Sequence, residues 1–324
     1  MKIVCLQLEP KLGQVQQNMD RATDMLSSLN ADDVDVLVLP EMAFSGYVFT
    51  GKDHIRPYLE DTETGPSVQW AKKQAIRLQA HVVVGFPERR INNDTQQETY
   101  YNSSAFVSPQ GELLEVYSKT FLYYTDESWA EEGPGFTSKP FPRLGQVGFG
   151  ICMDVNPYQF KADFGDFEFA NFHLNKRSDL ILCSMAWNKG EDSSQDNTTA
   201  RVSREKNTKR KKRVVKTETT DNSGNGDTEH GDEDDDSDQW RDEEDSEEEQ
   251  DEPADKDEDY YRQIQFETLH YWAVRMNPFY TQKKKPHHGA IFVVANRIGI
   301  ESDSARMDQN CLDRFQPIEK VSCV

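Results

Sequence analysis

The sequence predicts an α/β layered domain whose helices lie outside its sheets. Short apolar runs rich in β-branched residues alternate with stretches in which apolar residues recur at helical spacing, and this alternation is typical of sheets covered by helices. A long polar and charged stretch, residues 190–258, interrupts the pattern, which then resumes. We therefore expect one domain interrupted by an insertion, because the second structured piece is too small to hold a core of its own.

The elements before the insertion follow from the spacing of apolar residues. Helices are predicted where these residues recur every three or four positions, and strands where short apolar runs are bounded by polar or turn residues. A Pro-Gln-Gly turn at 109–111 separates two such runs and favours a β-hairpin. The predicted strands are Lys2–Gln7, Val34–Leu39, His81–Phe86, Tyr101–Val107, Glu112–Tyr117, Val147–Ile151 and Asp179–Met185, and the predicted helices are Val15–Leu29 and Pro66–Ala80.

Residues 190–258 are predicted to be disordered. They contain few apolar side chains, so the segment cannot bury enough surface to offset the entropy lost on ordering. The basic cluster Lys209–Arg213 suits either a nuclear import signal or a solvated charged loop. After the insertion, an amphipathic helix is predicted over Tyr260–Asn277 and a strand over Ala290–Ala295.

The net charge of −21 is concentrated in the insertion. Residues 221–260 contain 22 Asp and Glu residues and only two basic residues, so the remaining chain is close to neutral. This balance gives no support for nucleic-acid binding by the folded core. The acidic tract leaves open a second kind of function, a module that binds basic proteins.

The five cysteines are odd in number and widely spaced, which predicts neither a disulfide framework nor a zinc site. The chain enters its first strand without a signal peptide, and no apolar run approaches the roughly 18 residues of a membrane span. We therefore expect a soluble protein of the reducing cytoplasm, with the basic cluster leaving the nucleus open as a second location.

Three chemically complementary residues, Glu41, Lys119 and Cys152, stand at the ends of predicted strands. A thiol is mostly protonated near neutral pH, so Cys152 needs a base such as Glu41, a cation such as Lys119 or a helix N-terminus to become a nucleophile. Lys119 and the backbone N–H of Met153 are suited to hold an oxyanion. The set predicts acyl transfer through a cysteine, although each residue alone is more typical of a structural role.

The segments that carry these residues resemble the three catalytic blocks of the nitrilase, or carbon–nitrogen hydrolase, superfamily. The blocks are residues 39–41, 117–120 and 150–154, and residues 101–105 and 295–301 are similar to further conserved stretches of that superfamily. The resemblance implies a four-layer αββα sandwich and a reaction that needs no cofactor or metal. It also implies that Glu41 is the general base, Lys119 the oxyanion stabiliser and Cys152 the nucleophile.

Within the superfamily, residues 119–123, 150–160 and 185–187 resemble the fungal branch that acts on protein N-termini. This resemblance implies hydrolysis of the side-chain amide of an N-terminal Asn or Gln on a protein or peptide. A thioester on Cys152 would form as ammonia leaves, and the product, an N-terminal Asp or Glu, would feed N-degron protein turnover. The nitrilase-like domain is expected to comprise residues 1–189 and 259–301.

The resemblance also assigns supporting residues. Superfamily members carry a second glutamate between the lysine and cysteine blocks, and Glu132 is preferred to Glu131 for that position. A substrate α-ammonium needs an acceptor, because an unpaired buried charge is costly. The candidates for it are Asp126, Glu127, Glu131 and Glu132; Asp154 suits a structural acceptor better than a catalyst, and Trp187 and Asn188 are candidates for the pocket wall.

Two alternatives to this function stay open. One is a small-molecule amidase of the same superfamily, such as an ω-amidase or a carbamoylase. The other is an inactive, truncated product, because residues 302–324 do not resemble the family pattern that would follow Glu301. The oligomeric state and the preference between Asn and Gln are not predicted.

Overall fold

The computed structural model describes residues 1–187, 267–281 and 289–298, and within these ranges the chain forms two β-sheets. The predicted disordered insertion (190–258) and the atypical segment 302–324 lie outside the described residues. The first sheet has the strand order β1-β2-β3-β4-β5 and the second β6-β7-β8-β9. The strands are β1 (Ile3–Cys5), β2 (Val36–Val38), β3 (His81–Ile91), β4 (Glu98–Val107), β5 (Leu113–Ser118), β6 (Ser138–Phe141), β7 (Gly145–Ile151), β8 (Leu180–Met185) and β9 (Ile291–Asn296).

Both sheets mix parallel and antiparallel pairs. Strands β1, β2 and β3 are parallel, whereas β3, β4 and β5 form an antiparallel meander. In the second sheet β6 is antiparallel to β7, and β7, β8 and β9 are parallel. The helices are α1 (Val15–Met25), α2 (Lys52–Ile55), α3 (Pro66–Leu78), α4 (Glu168–Lys176), α5 (residues 267–275) and α6 (Pro278–Thr281).

The alternation of side chains along each strand divides the interior into two cores. On β2, Leu37 packs into the core shared with α1 and α3, whereas Val36 and Val38 face the other sheet. Phe106 of the first sheet meets Phe149 of the second, with ring centroids 5.4 Å apart. Helices α4 and α5 pack on the outer side of that second core. The result is helix, sheet, sheet and helix, which confirms the predicted four-layer αββα class.

Most predicted elements before the insertion are present, with shifted ends. Helix α1 ends at Met25, where Leu26 caps it, four residues before the predicted end. Strand β3 continues to Ile91 because it pairs with β4 from Val82 to Ile91. The predicted hairpin is confirmed as the antiparallel pair β4–β5.

The sequence reasoning missed β6 and α4. Strand β6, Ser-Lys-Pro-Phe, is a half-exposed edge strand and lacks an apolar run, so nothing in its composition marks it. Helix α4 is bounded by Phe167 and Arg177, both with left-handed backbones, and neither residue is a usual helix boundary signal.

The segments that follow three of the strands lie close together. Residues 39–42 follow β2, Lys119 follows β5, and Cys152 follows β7. Gly85 of β3 lets the first of these approach closely, because a Cβ at this position would lie 2.6 Å from the Pro40 carbonyl oxygen and 2.8 Å from the Glu41 Cα. The absence of a side chain at Gly85 is therefore part of what positions Glu41.

Candidate active site

Glu41, Lys119 and Cys152 lie together in the interior, where the two sheets meet. Glu41 and Lys119 are fully buried, and Cys152 is 7% exposed. The Lys119 Nζ donates to Glu41 Oε1 at 2.6 Å. The N–H of Ala186, just past β8, donates to Glu41 Oε2 at 2.8 Å, and a backbone hydrogen bond from Ala186 also acts to lower the pKa of Cys152. Ala186 therefore links the carboxylate to the thiol.

A second buried carboxylate, Asp126, joins Glu41 and Lys119 in a charged cluster that we call the lysine cluster. Asp126 Oδ2 accepts from Lys119 Nζ at 2.5 Å and from the Tyr123 N–H at 3.1 Å. The amide of Asn102, on β4, donates to Glu41 Oε1 at 2.7 Å and to Asp126 Oδ1 at 3.0 Å. One cation thus sits between two carboxylates that a single amide bridges, which fixes the Lys119 ammonium in place.

The electrostatics of this cluster keep Lys119 protonated. Burial alone would lower the pKa of Lys119, but the charges of Asp126 and Glu41 raise it well above its usual value. Burial raises the pKa of Glu41, and the charge of Lys119 opposes that rise. The lysine is therefore suited to stabilise negative charge rather than to accept a proton.

Cys152 occupies a strained turn. It opens the 3₁₀ helix Cys152–Val155 directly after β7 and has a φ of 37°, an unusual value for a residue with a side chain. Such strain concentrates at functional sites, where it fixes the direction of a side chain. The Cys152 side chain here lines a cavity.

The structure favours one of the three expected ways to activate the thiol. Burial, followed by the charge of Glu41, raises the pKa of Cys152 well above its usual value, and Lys119 opposes this only in part. Neither the cation nor the helix N-terminus therefore supplies a resting thiolate. Cys152 rests as a neutral thiol and needs a base at the moment of reaction, for which Glu41 is suitably placed.

Asp154 joins two of the three segments. Its carboxylate accepts from the N–H groups of Thr120 and Phe121 at 3.0 and 2.8 Å, from the Ile151 N–H at 2.8 Å and from the Tyr117 hydroxyl at 2.8 Å. Burial raises its pKa to about 6, even though the hydrogen bonds from Phe121, Ile151 and Tyr117 lower it. Asp154 does not line the cavity, so its place is that of a structural acceptor and not of a pocket residue.

A cavity of about 270 Å³ opens above the thiol. Its walls are largely aromatic and include Tyr47 and Trp187, and Met153 also lines it. The side-chain oxygen of Asn156 accepts from the Tyr271 hydroxyl at 2.6 Å, and both residues line the cavity. Helix α5, which follows the insertion in sequence, thus contributes Tyr271 to the site.

No carboxylate is among the described residues that line this cavity, which corrects the expected location of the α-ammonium acceptor. Asp126 is enclosed in the lysine cluster instead, and Glu127 is exposed. Glu131 is exposed and lies 3.8 Å from Lys52 in a surface ion pair. Asn188, the other pocket candidate, lies outside the described residues.

Glu132 is not the second carboxylate of the lysine cluster. It is exposed and accepts from the Tyr158 hydroxyl at 2.9 Å, whereas Asp126 occupies the position beside Lys119. The reason is local, because the 3₁₀ helix Asp126–Ser128 turns Asp126 inward before the chain returns to the surface. Spacing from Lys119 could not distinguish the acids on this loop.

Three supporting residues were missed by the sequence reasoning: Asn102 as the amide bridge, Ala186 as the backbone donor, and Asn156 in the cavity. Asn102 carried a detectable signal, because it is polar inside a strand that is otherwise mostly buried. Ala186 carried none, since its contribution comes from a main-chain N–H.

Comparison with known proteins agrees with this geometry. The family model described as "Carbon-nitrogen hydrolase" matches residues 2–160. The protein N-terminal amidase of Schizosaccharomyces pombe is 41% identical over 208 residues, which cover 59% of this chain and 72% of that protein. The protein N-terminal amidase of Saccharomyces cerevisiae is 35% identical over 209 residues, which cover 58% of this chain and 45% of that protein.

Solved structures give the same result. A crystal structure of N-terminal amidase matches with a TM-score of 0.54 at 35% identity, covering 59% of this chain and 48% of that one. A crystal structure of N-terminal amidase with a Gln-Gly peptide matches with a TM-score of 0.54 at 32% identity, covering 64% of this chain and 53% of that one. This chain therefore spans about half the length of these solved chains. Among its described residues, no helix is long and apolar enough to cross a membrane.

Proposed function

Because this chain belongs to the carbon–nitrogen hydrolase family, we propose that it hydrolyses the side-chain amide of an N-terminal Asn or Gln on proteins and peptides. The observation that carries the proposal is the placement of Cys152 in a cavity wall beside the buried contact between Glu41 and Lys119. A nucleophile, a base and a fixed cation are the parts that acyl transfer requires.

The first half of the reaction forms a thioester. Glu41 takes the proton of the Cys152 thiol, and the sulfur attacks the amide carbon of the substrate side chain. The carbonyl oxygen gains negative charge, which the Lys119 ammonium and the Met153 N–H would stabilise. Glu41 then passes its proton to the amide nitrogen, the carbon–nitrogen bond breaks, and ammonia leaves.

The second half releases the product. Glu41 takes a proton from a water molecule, whose oxygen attacks the thioester carbon. The carbon–sulfur bond breaks, the sulfur recovers a proton from Glu41, and an N-terminal Asp or Glu results. One carboxylate thus alternates between base and acid, which its raised pKa favours.

The substrate class follows from the relatives together with the cavity. The solved relatives include an N-terminal amidase with a Gln-Gly peptide and one with an Asn-Glu-Ala peptide. Among the described lining residues, the Asn156 amide oxygen is a candidate acceptor for an α-ammonium, and the aromatic faces around it also attract a cation. The product would enter N-degron turnover in the cytoplasm or the nucleus.

The test is ammonia release from four matched peptides that begin with Asn, Gln or acetyl-Asn or carry Asn internally. We expect turnover of the first two alone, and no turnover by Cys152→Ala. Turnover of acetyl-Asn peptides or of free amino-acid amides would support the small-molecule amidase instead. A folded wild-type protein that releases no ammonia from any of them would contradict the proposal.

A further inference from the structure

Beside the cavity mouth lies a cluster of three aromatic rings, Tyr123, Tyr124 and Phe160, which we call the aromatic shelf. Its ring centroids are 5.1 Å apart for Tyr123 and Tyr124, 5.9 Å for Tyr124 and Phe160, and 6.3 Å for Tyr123 and Phe160. Tyr124 is 57% exposed and Phe160 47%. The shelf therefore presents a continuous apolar surface to solvent.

The shelf is continuous with the catalytic cavity. Tyr123 and Phe160 both line the cavity that contains Cys152, and Tyr124 extends the same surface outward. Phe160 is the most exposed of the described lining residues, since Cys152, Met153 and Asn156 are all buried. We therefore place the mouth of the cavity on the side of Phe160.

The backbone that presents Phe160 is strained. Gln159 has a φ of 53° and Phe160 a φ of 54°, so two consecutive residues with side chains are in the left-handed region. For a bulky residue this conformation is a true outlier and costs about 1 kcal/mol or more. Such strain is typical of a functional constraint on where a side chain points.

The chemistry of the reaction directs the substrate chain toward this side. The side-chain amide of residue 1 must reach Cys152 at the cavity floor, and the rest of the polypeptide must leave through the mouth. Consecutive Cα atoms are about 3.8 Å apart, so residue 2 lies at the mouth when residue 1 fills the cavity. A volume of about 270 Å³ is at the low end for a ligand pocket, which suits one residue and little more.

We infer that the aromatic shelf binds the side chain of the second residue of the substrate polypeptide and favours an apolar side chain there. The inference rests on the proposed function and deepens it, because it makes the enzyme select substrates by their second residue as well as by their first. Apolar side chains gain from covering an exposed aromatic surface, whereas glycine offers nothing to cover it.

The experiment compares kcat/KM for the peptides Asn-Gly-Ala-Ala and Asn-Leu-Ala-Ala, with ammonia release as the readout. We expect the wild type to favour the leucine peptide about fivefold to tenfold, mainly through KM, as partial burial of one apolar side chain commonly gives. In Tyr124→Ala this ratio should fall toward 1. Tyr280→Ala removes a tyrosine that is 68% exposed and does not line the cavity, and it should keep the wild-type ratio.

The possible outcomes separate the two proposals. If the wild type turns over neither peptide, the proposed function fails. If it turns over both at equal rates, or if Tyr124→Ala keeps the preference for leucine, the function stands and the shelf inference is overturned. A second variant, Tyr124→Phe, keeps the ring and should keep the wild-type ratio. If it does, the loss of preference in Tyr124→Ala is due to the missing ring and not to a substitution at this position as such.

Discussion

Two pairs of acidic residues differ completely in environment, although Asp126 of the first pair lies only five and six positions before Glu131 and Glu132 of the second. Glu41 and Asp126 are fully buried around Lys119, whereas Glu131 and Glu132 are exposed. The carboxylate oxygens of the buried acids accept hydrogen bonds from the Lys119 ammonium, the shared Asn102 amide and backbone N–H groups. Within the part of the chain that the structure describes, the exposed acids each have a single side-chain partner, Lys52 for Glu131 and Tyr158 for Glu132.

The comparison teaches that a carboxylate buried beside a cation is held by the full set of partners that the fold supplies. Removing a charge from water costs several kcal/mol, and paired charges with well-placed hydrogen bonds offset that cost. Glu60 provides an intermediate case. It is buried but is held only by Ser67, whose N–H and hydroxyl donate at 2.8 and 2.6 Å, and no salt bridge to Glu60 occurs among the described residues.

The largest effect should come from Glu41→Gln, which keeps the size of the side chain but removes the base. We expect kcat/KM for an N-terminal Asn peptide to fall at least about 10³-fold, because general acid–base catalysis contributes about 10²–10⁴-fold and Glu41 acts in both half-reactions. The measurement is ammonia release, with a circular dichroism spectrum to verify the fold. The matched control is Glu131→Gln, which should retain wild-type activity; equal losses in both variants would contradict the division between buried and exposed acids.

The second-largest effect should come from Asp126→Asn. We expect Asp126 to position Lys119 without contacting the substrate. Asp126→Asn removes the largest of the charges that raise the pKa of Lys119, so kcat should fall by about 10–100-fold while KM changes little. The loss should deepen with increasing pH, because the lysine then loses its proton more readily. A pH profile of kcat measures this.

The neighbouring Glu127 provides the control for that variant. It is exposed, and Glu127→Gln should leave both kcat and its pH profile unchanged. A loss in Asp126→Asn that is the same at every pH would instead indicate a purely structural role.

The third effect concerns the free energy of unfolding and is tested with Glu60→Gln. Burial raises the pKa of Glu60 from 4.5 to about 7, so the folded state holds a proton that the unfolded state has already lost between those values. Stability should therefore fall as pH rises through this range, and the fall is complete above about pH 7. In Glu60→Gln this dependence is absent.

We expect the variant to gain up to about 3 kcal/mol relative to the wild type between pH 4.5 and pH 8. Urea denaturation at several pH values measures the difference between the two proteins, in which the contributions of all other groups cancel. A difference that does not change with pH would show that Glu60 is ionised in the folded protein throughout the range.

The smallest effect should come from Glu132→Gln. Glu132 is exposed and contacts the Tyr158 hydroxyl rather than Lys119, so kcat/KM should stay within about twofold of the wild type, as for most surface substitutions. The same ammonia assay measures it. A loss comparable to that of Asp126→Asn would return the second-carboxylate role to Glu132.

The sequence predicted much of the fold because its signals are local. Strands such as Asp179–Met185 are short apolar runs, and β8 spans Leu180–Met185. Helix α3 begins at the predicted Pro66 and ends at Leu78, where Gln79 takes a left-handed conformation. Elements such as β6 could not be predicted, since an edge strand is stabilised by pairing with β7 rather than by its own composition.

By itself, the sequence determined the α/β class, most strands and helices before the insertion, and the three residues that the resemblance marks for catalysis. Only the tertiary structure decided which acid supports Lys119, that Asp154 joins two segments, that the Cys152 thiol rests protonated, and where the cavity opens. The physical reason is that periodicity and motifs are properties of neighbouring residues along the chain. Burial, charge pairing and pKa depend instead on segments that are brought together from β2, β4, β5, β7 and β8, and no local pattern encodes which side chain will face which partner.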